Sequence, residues 1–221
     1  MPPDVSARHR HSIPLTNDFE LDGSGAATAW LAIPFTDLTQ VGGASPHRTR
    51  CKQLRSATGL YLLVDAEDDR IDCTKTSDGE DLFTEDVVEW FLQPDPAVPV
   101  YIEYEISPLG HELPILIPNV DGKFLGWRPW HYEGERKIQK ATSMRGGAKK
   151  SGASVEGWTA EIFVPYPLLT PLGNVPPKPG TRWRANFYRV DYDDGQNTAW
   201  DWARVGPSFH EYEKFGTLVF E

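Results

Sequence analysis

Long apolar stretches are missing from these 221 residues. The longest, LYLLV at 60–64 and LPILIP at 113–118, fall far short of the roughly 20 residues that cross a bilayer as a helix, which argues against a membrane-spanning protein. The opening MPPDVSARHRHSIPL mixes charge with proline and has no apolar centre, so it does not read as a signal peptide. A cytoplasmic protein and a secreted one whose leader has been removed both fit. Cysteine is nearly absent. Cys51 and Cys73 allow at most one disulfide, are not spaced as a metal knuckle or a CxxC redox pair, and read as two buried thiols. Basic charge is also scarce, with 22 Lys plus Arg against 32 Asp plus Glu and a net charge of −10. That balance opposes nucleic acid and anionic membrane as partners. The six histidines show no ligand spacing beyond the HRH at 9–11, which disfavours zinc, and Met1 and Met144 offer no His–Met pair for haem. Helical periodicity is absent from every window of about 12 residues or more, and there are no internal repeats.

What is present is turn chemistry. The 19 glycines and 19 prolines are spread along the chain, with turn signals at 22, 42, 57, 78, 121, 179 and 193. Between them lie short β-type segments: TRCKQLR, LYLLVDAED, VVEWFLQ, VYIEYEIS, KIQKATSMR, GWTAEIFVP, RWRANFYRVDY and FGTLVFE. Alternation puts Trp158, Ala160, Ile162 and Val164 on one face of one strand, and Trp183, Ala185 and Phe187 on one face of another. Strands with one oily face predict an all-β fold, an antiparallel β-sandwich of two stacked, jelly-roll-like sheets. PYPLLTPLG at 165–173 predicts one short turn of helix, and 132–154 reads as a charged, solvated strand between loops. The organisation expected is an N-terminal extension, 1–17, followed by one domain, 18–221.

Several residues break this pattern. Glu89 and Glu105 interrupt apolar strands, and a pair of carboxylates on adjacent strands is the acid–base arrangement of a glycosidase. No nucleophile elbow, paired-histidine helix motif or phosphate-cradling loop accompanies them. The same acids can equally accept hydrogen bonds from a ligand, or pair with Arg184 or Arg189. Two acidic segments, DAEDDRID at 65–72 and DYDDGQN at 191–197, carry the oxygen ligands that calcium takes; solvated loops are the alternative. Aromatics reach 12%, with eight tryptophans. Trp90, Trp158 and Trp183 sit inside strands as core, whereas Phe83 and Phe209 fall in loops amid charge, where a ring is as readily a surface plate as a core filler. TAWDWARVGPSFHEYEKFG reads as an aromatic-rich loop before the last strand. A sugar ring packs its C–H face on such plates and offers its hydroxyls to fixed polar groups.

Four segments in order resemble the family 9 carbohydrate-binding modules and the related single-domain proteins, from about residue 18 to 221. FELDGSGAATAW is similar to the family's "DG, then W" opening, and TGLYLLVDAEDDRI to its "LY-strand, then D" segment. LFTEDVVEWFLQPD resembles "W-x-x-D-x-V-E-x-F", and SFHEYEKFGTLVF the closing "aromatic, then K-F-G-x-L". The resemblance implies a β-sandwich that holds a small saccharide or sugar-chain end between two aromatic plates over a polar floor, without catalysis and in some members with structural calcium. The plates fall on Phe83 and Phe209, where the family's best-described type has tryptophan. The acid falls on Glu89, a basic floor residue on Glu105 with its charge reversed, and an amide near Asn186 or Arg189. His210 follows as a further polar contact. A carbohydrate-active enzyme on the same sandwich, using Glu89 with Glu105 or His210, is the alternative.

Overall fold

The computed structural model describes residues 9–42, 45–121, 123–193 and 195–221. Residues 1–8 of the expected extension, with Met1, lie outside the described residues, as do Gly43, Gly122 and Asp194 of three expected turns. Fifteen strands stand among the described residues. In the first half these are β1 Arg10–Ile13, β2 Thr36–Asp37, β3 Thr39–Gly42, β4 Thr49–Arg55, β5 Gly59–Ala66, β6 Val87–Gln93 and β7 Val100–Ile106. The second half adds β8 Glu112–Val120, β9 Lys123–Phe124, β10 Arg128–Pro129, β11 Gln139–Arg145, β12 Gly157–Pro165, β13 Arg182–Asp193, β14 Gln196–Asp201 and β15 Gly216–Phe220. Two four-residue helices, α1 Thr28–Leu31 and α2 Tyr166–Leu169, complete the regular structure, α2 falling within the expected helical turn.

The strands form two sheets, one ordered β11-β12-β5-β4-β2 and one of ten strands along the path β1-β15-β13-β6-β7-β8-β10. The long β13 is the branch point: Arg182–Ala185 pair with β15, and Tyr188–Asp193 pair with β14, which in turn pairs with β3. Neighbouring strands run antiparallel except β1 beside β15. The all-β sandwich expected from the sequence is the fold.

Period-two alternation decides which side chains meet between the sheets. Trp158, Ala160, Ile162 and Val164 of β12 face Trp183, Ala185 and Phe187 of β13 across one core, which Trp90 also enters. Fully burying a large side chain of this kind contributes about 1.5–3 kcal/mol. Both sheets also carry apolar clusters on their outer faces. Phe91, Tyr101, Ile115, Tyr188 and Phe215 lie on the outside of the larger sheet, and Trp30, Tyr61, Leu63 and Phe163 on the outside of the smaller one. This is why VVEWFLQ is buried at every position instead of alternating.

Two of the quoted motifs have structural causes. Glu161 is buried, and its carboxylate accepts Trp30 Nε1 at 2.6 Å, Gly23 N at 2.6 Å and Asp22 N at 3.1 Å, so the segment 19–30 is fastened over the small sheet. Gly23 adopts φ +83°, and a Cβ there would stand 2.8 Å from the Thr142 backbone. Gly216 in the K-F-G-x-L ending clears room for Trp202, whose ring would lie 2.4 Å from a Cβ.

Several expectations need correction. Residues 10–13 of the expected extension form β1, and Ile13 is buried in the central core; four residues of edge pairing carry too little pattern to be seen in sequence. Trp200 and Trp202 are not loop plates but core, because residues 196–201 fold back on β13 as β14. The charged strand expected within 132–154 is β11, part-exposed at the small sheet's edge, with Arg145 bonded to Asp65 and Lys140 2.9 Å from Asp78. Cys51 and Cys73, by contrast, are free and buried as expected, and burial raises both thiols to about 12.

Candidate functional site

On the outer face of the larger sheet a cavity of about 700 Å³ opens over strands β6, β7, β8 and β13, within the roughly 300–1,000 Å³ range of ligand pockets. Phe83, Glu89, Glu105, Phe209 and His210 all line it, together with Glu103, Phe124, Trp127 and Tyr192. Five of the seven residues expected at the site from sequence therefore meet in one place, although the chain separates Phe83 from Phe209 by more than half its length.

Register builds the floor. Glu89 of β6 stands directly opposite Glu105 of β7, and Phe91 opposite Glu103. Directly opposed residues of an antiparallel pair place their Cβ atoms about 4.5–5.5 Å apart, so the Glu89 and Glu105 carboxyls crowd each other. All three glutamates are buried, at 3%, 4% and 0% exposure for Glu89, Glu103 and Glu105. Burial raises the Glu89 carboxyl to about 8. Burial, followed by the charge of Glu89, raises Glu103 and Glu105 well above the usual carboxylate range. Neither Glu105 oxygen nor Glu103 Oε2 receives a well-formed hydrogen bond.

The walls are aromatic. Phe83 lies in a short 3-10 turn, Leu82–Thr84, and is 39% exposed, while its carbonyl accepts the Tyr192 hydroxyl at 3.1 Å. Phe209 is half-buried and stacks on Tyr188 at 4.1 Å with 9° between the ring planes. Its carbonyl accepts the Tyr188 hydroxyl at 2.9 Å, which ties the loop to β13. His210 is stacked between Phe124 at 4.1 Å and Phe91 at 5.5 Å. Its Nδ1 shares a 2.8 Å hydrogen bond with the Tyr101 hydroxyl and lies 3.8 Å from Glu103 Oε2. Burial lowers this imidazole to about 4, so it is neutral at neutral pH and supplies no cation.

Asn186 and Arg189 are not in the cavity. Asn186 is fully buried, and its amide bridges Ala203 N, Ala203 O, Phe187 N and the Tyr188 hydroxyl, a scaffold role beneath Phe209. Arg189 is one residue from Tyr188, which pairs with Glu89, so alternation sends it to the opposite face. There its Nη2 stands 2.9 Å from Asp68 Oδ2 and 3.2 Å from Asp191 Oδ1, its Nη1 donates to Glu67 O at 2.6 Å, and its guanidinium lies 4.8 Å from the Trp200 ring centre.

This inner cluster joins the two acidic segments in which calcium ligands were expected. Asp68, Asp86 and Asp191 are, among the described residues, the one group of three His, Cys, Asp or Glu side chains whose ligand atoms converge. The donor set does not suit calcium, which takes six to eight oxygens. Two of the carboxylates already face the Arg189 guanidinium, and the third, Asp86, accepts Asp72 N at 2.6 Å and Tyr192 N at 2.8 Å. Burial, reinforced by the charge of Asp68, raises Asp86 to about 8.

Glu103, Phe124, Trp127 and Tyr192 escaped sequence reasoning. Glu103 was legible, since it shares a strand face with Glu105 two residues on. Tyr192 likewise continues the face of Tyr188. Phe124 arrives on the two-residue strand β9 and Trp127 from the loop between β9 and β10, and nothing local marks which way that segment folds.

No family model matches the chain, and no curated protein matches its sequence. Solved structures do. The fold is similar to that of a candidate carbohydrate-binding protein from Bacteroides uniformis, with TM-score 0.75 and 17% identity over 96% of this chain and 99% of that one. It is also similar to a family 9 carbohydrate-binding module from Caldicellulosiruptor kristjanssonii in complex with cellotriose, with TM-score 0.69 and 10% identity over 96% and 93% of the two chains. The glucose complex of a module from that organism gives TM-score 0.68 and 10% identity over 95% of each chain. The chain thus has the fold of the family 9 carbohydrate-binding modules.

Proposed function

We propose that the protein binds a small saccharide or a sugar-chain end in the outer-face cavity, without turning it over. The observation that carries this reading is the convergence of Phe83 and Phe209 with buried glutamates in one open pocket. A sugar packs its C–H face on aromatic rings and presents hydroxyls to acceptors, and this pocket offers both. Solved neighbours of the same fold that hold cellotriose and glucose add support. A thermal-shift screen against mono- and disaccharides tests it, because a ligand that binds only the native state raises its melting temperature. A screen in which no saccharide shifts the melting temperature refutes it.

A catalytic use of Glu89 with Glu105 or His210 is the competing reading, and the raised Glu89 carboxyl is what favours it. An acid still protonated at neutral pH can give its proton to a leaving group. Product formed from oligosaccharides by the native chain but not by Glu89→Gln would establish that reading; product formed by neither removes it. For the inner cluster, the proposed cation is Arg189 itself in place of calcium. Chelator and added calcium should then both leave the melting temperature unchanged, and a calcium-dependent rise refutes this.

A further inference from the structure

The cavity gathers carboxyl groups without a fixed cation among them. Glu89, Glu103 and Glu105 meet at its floor, and no lysine or arginine stands among the described residues that line it. His210 is neutral there, as shown above. Both Glu105 oxygens and Glu103 Oε2 are buried without a well-formed hydrogen bond, although they border the open cavity. While they hold their protons these carboxyls both donate and accept hydrogen bonds, and once ionised they only accept. A sugar hydroxyl brings one donor and two lone pairs that want donors in return, whereas an ammonium group brings three donors and no lone pair. Three crowded carboxyls without a facing cation, acceptor-only once ionised, are therefore the complement of an ammonium more than of a neutral hydroxyl rim. The surrounding rings of Phe83, Phe124, Trp127 and Phe209 point the same way, because aromatic faces attract a cation and repel none of its apolar body.

We infer that the group this floor reads is a protonated amine, and, resting on the saccharide reading above, that the ligand is an amino sugar with a free amine. Glucosamine, alone or at the end of a chain, has the required chemistry. N-acetylation removes both the charge and two of the three donors. A cation on the floor also favours the ionised carboxylates, so binding releases protons from the glutamate cluster. The groups that face this cluster are Tyr101 beside it on β7, Tyr188 on β13, His210 in the loop before β15, and Asp81 ahead of the Phe83 turn. Asp81 is the one further carboxylate among them.

Isothermal titration of the native protein with glucosamine, glucose, N-acetylglucosamine and cyclohexylamine decides the matter at a pH of about 6.5, where an amine of α-amino basicity is protonated. Glucosamine is expected to bind at least tenfold more tightly than glucose or N-acetylglucosamine. Titrations in two buffers of different ionisation enthalpy are expected to report proton release with glucosamine alone, and Glu105→Gln and Glu89→Gln should each remove the preference. Glucose or N-acetylglucosamine binding as tightly as glucosamine overturns the inference and leaves the saccharide reading standing. Cyclohexylamine binding where no sugar binds keeps the cation site and overturns the saccharide reading. Failure of all four compounds overturns both. The comparison among ligands is made on the native chain, so it holds even if a glutamine variant does not fold.

Discussion

A buried acid that keeps its proton to about pH 8 must make the protein less stable as pH rises. In the unfolded chain Glu89 titrates at its ordinary 4.5, and in the folded protein at about 8. Between those values the folded state holds a proton that the unfolded state has lost, so the stability is complete below 4.5 and drains away as pH climbs to 8. The window from 6.5 to 8 separates this effect from histidine titration, while Glu103 and Glu105, raised by the same burial, add losses of the same sign. His210, lowered to about 4 by burial, penalises folding only below its ordinary 6.5, and His11, lowered by the same cause, behaves likewise. At about 1.4 kcal/mol per pH unit for one proton, the loss across 1.5 units is about 2 kcal/mol. For a chain of this size that corresponds to about 4–8 °C in melting temperature. Asp86, raised to about 8 in the inner cluster, adds a parallel loss, which is why the comparison with Glu89→Gln is required. Urea denaturation at pH 6.5, 7.25 and 8 is the assay. The native chain should lose about 2 kcal/mol or more, and Glu89→Gln should lose about 2 kcal/mol less and be the more stable of the two at pH 8. Equal slopes for the two chains, or a variant less stable than the native protein at pH 8, would refute the crowded-carboxyl floor.

Three further outcomes are expected. Phe83→Ala and Phe209→Ala should each weaken saccharide binding by about 1–3 kcal/mol, measured by titration. Phe83→Ala should leave the melting temperature nearly unchanged because that ring is 39% exposed, whereas Phe209→Ala should lower it through the lost stack on Tyr188. Arg189→Met should destabilise the fold by roughly 3–5 kcal/mol, since it strands Asp68 and Asp191 without their cation; a loss below 1 kcal/mol by denaturation would show that the guanidinium is not their partner. Glu161→Ala leaves the Trp30 indole and the backbone donors of Asp22 and Gly23 without their acceptor, for a cost of roughly 3 kcal/mol and increased proteolysis ahead of β2.

Composition and local pattern by themselves determined the class of this protein. Turn residues at short intervals with period-two alternation permit little besides stacked antiparallel sheets, and strands such as 49–55, 87–93 and 157–165 are bounded as their residues indicate. The breaks in that pattern, Phe83 outside and Glu89 inside, also marked a site, because acids and rings sit against the grain of a strand only where something other than core packing holds them there. What tertiary structure alone decided was the company they keep. A sequence fixes that Glu103 and Glu105 share a face, but the register of β6 on β7 sets Glu89 against them, and hydrogen bonding between strands far apart in the chain carries no local signal. Likewise the one-residue step from Tyr188 to Arg189 divides the support beneath a cavity wall from a buried ion cluster, and the turn from β8 into β9 brings Phe124 against His210. Each of these depends on where the backbone turns in space, and that is settled by the packing of the whole sandwich.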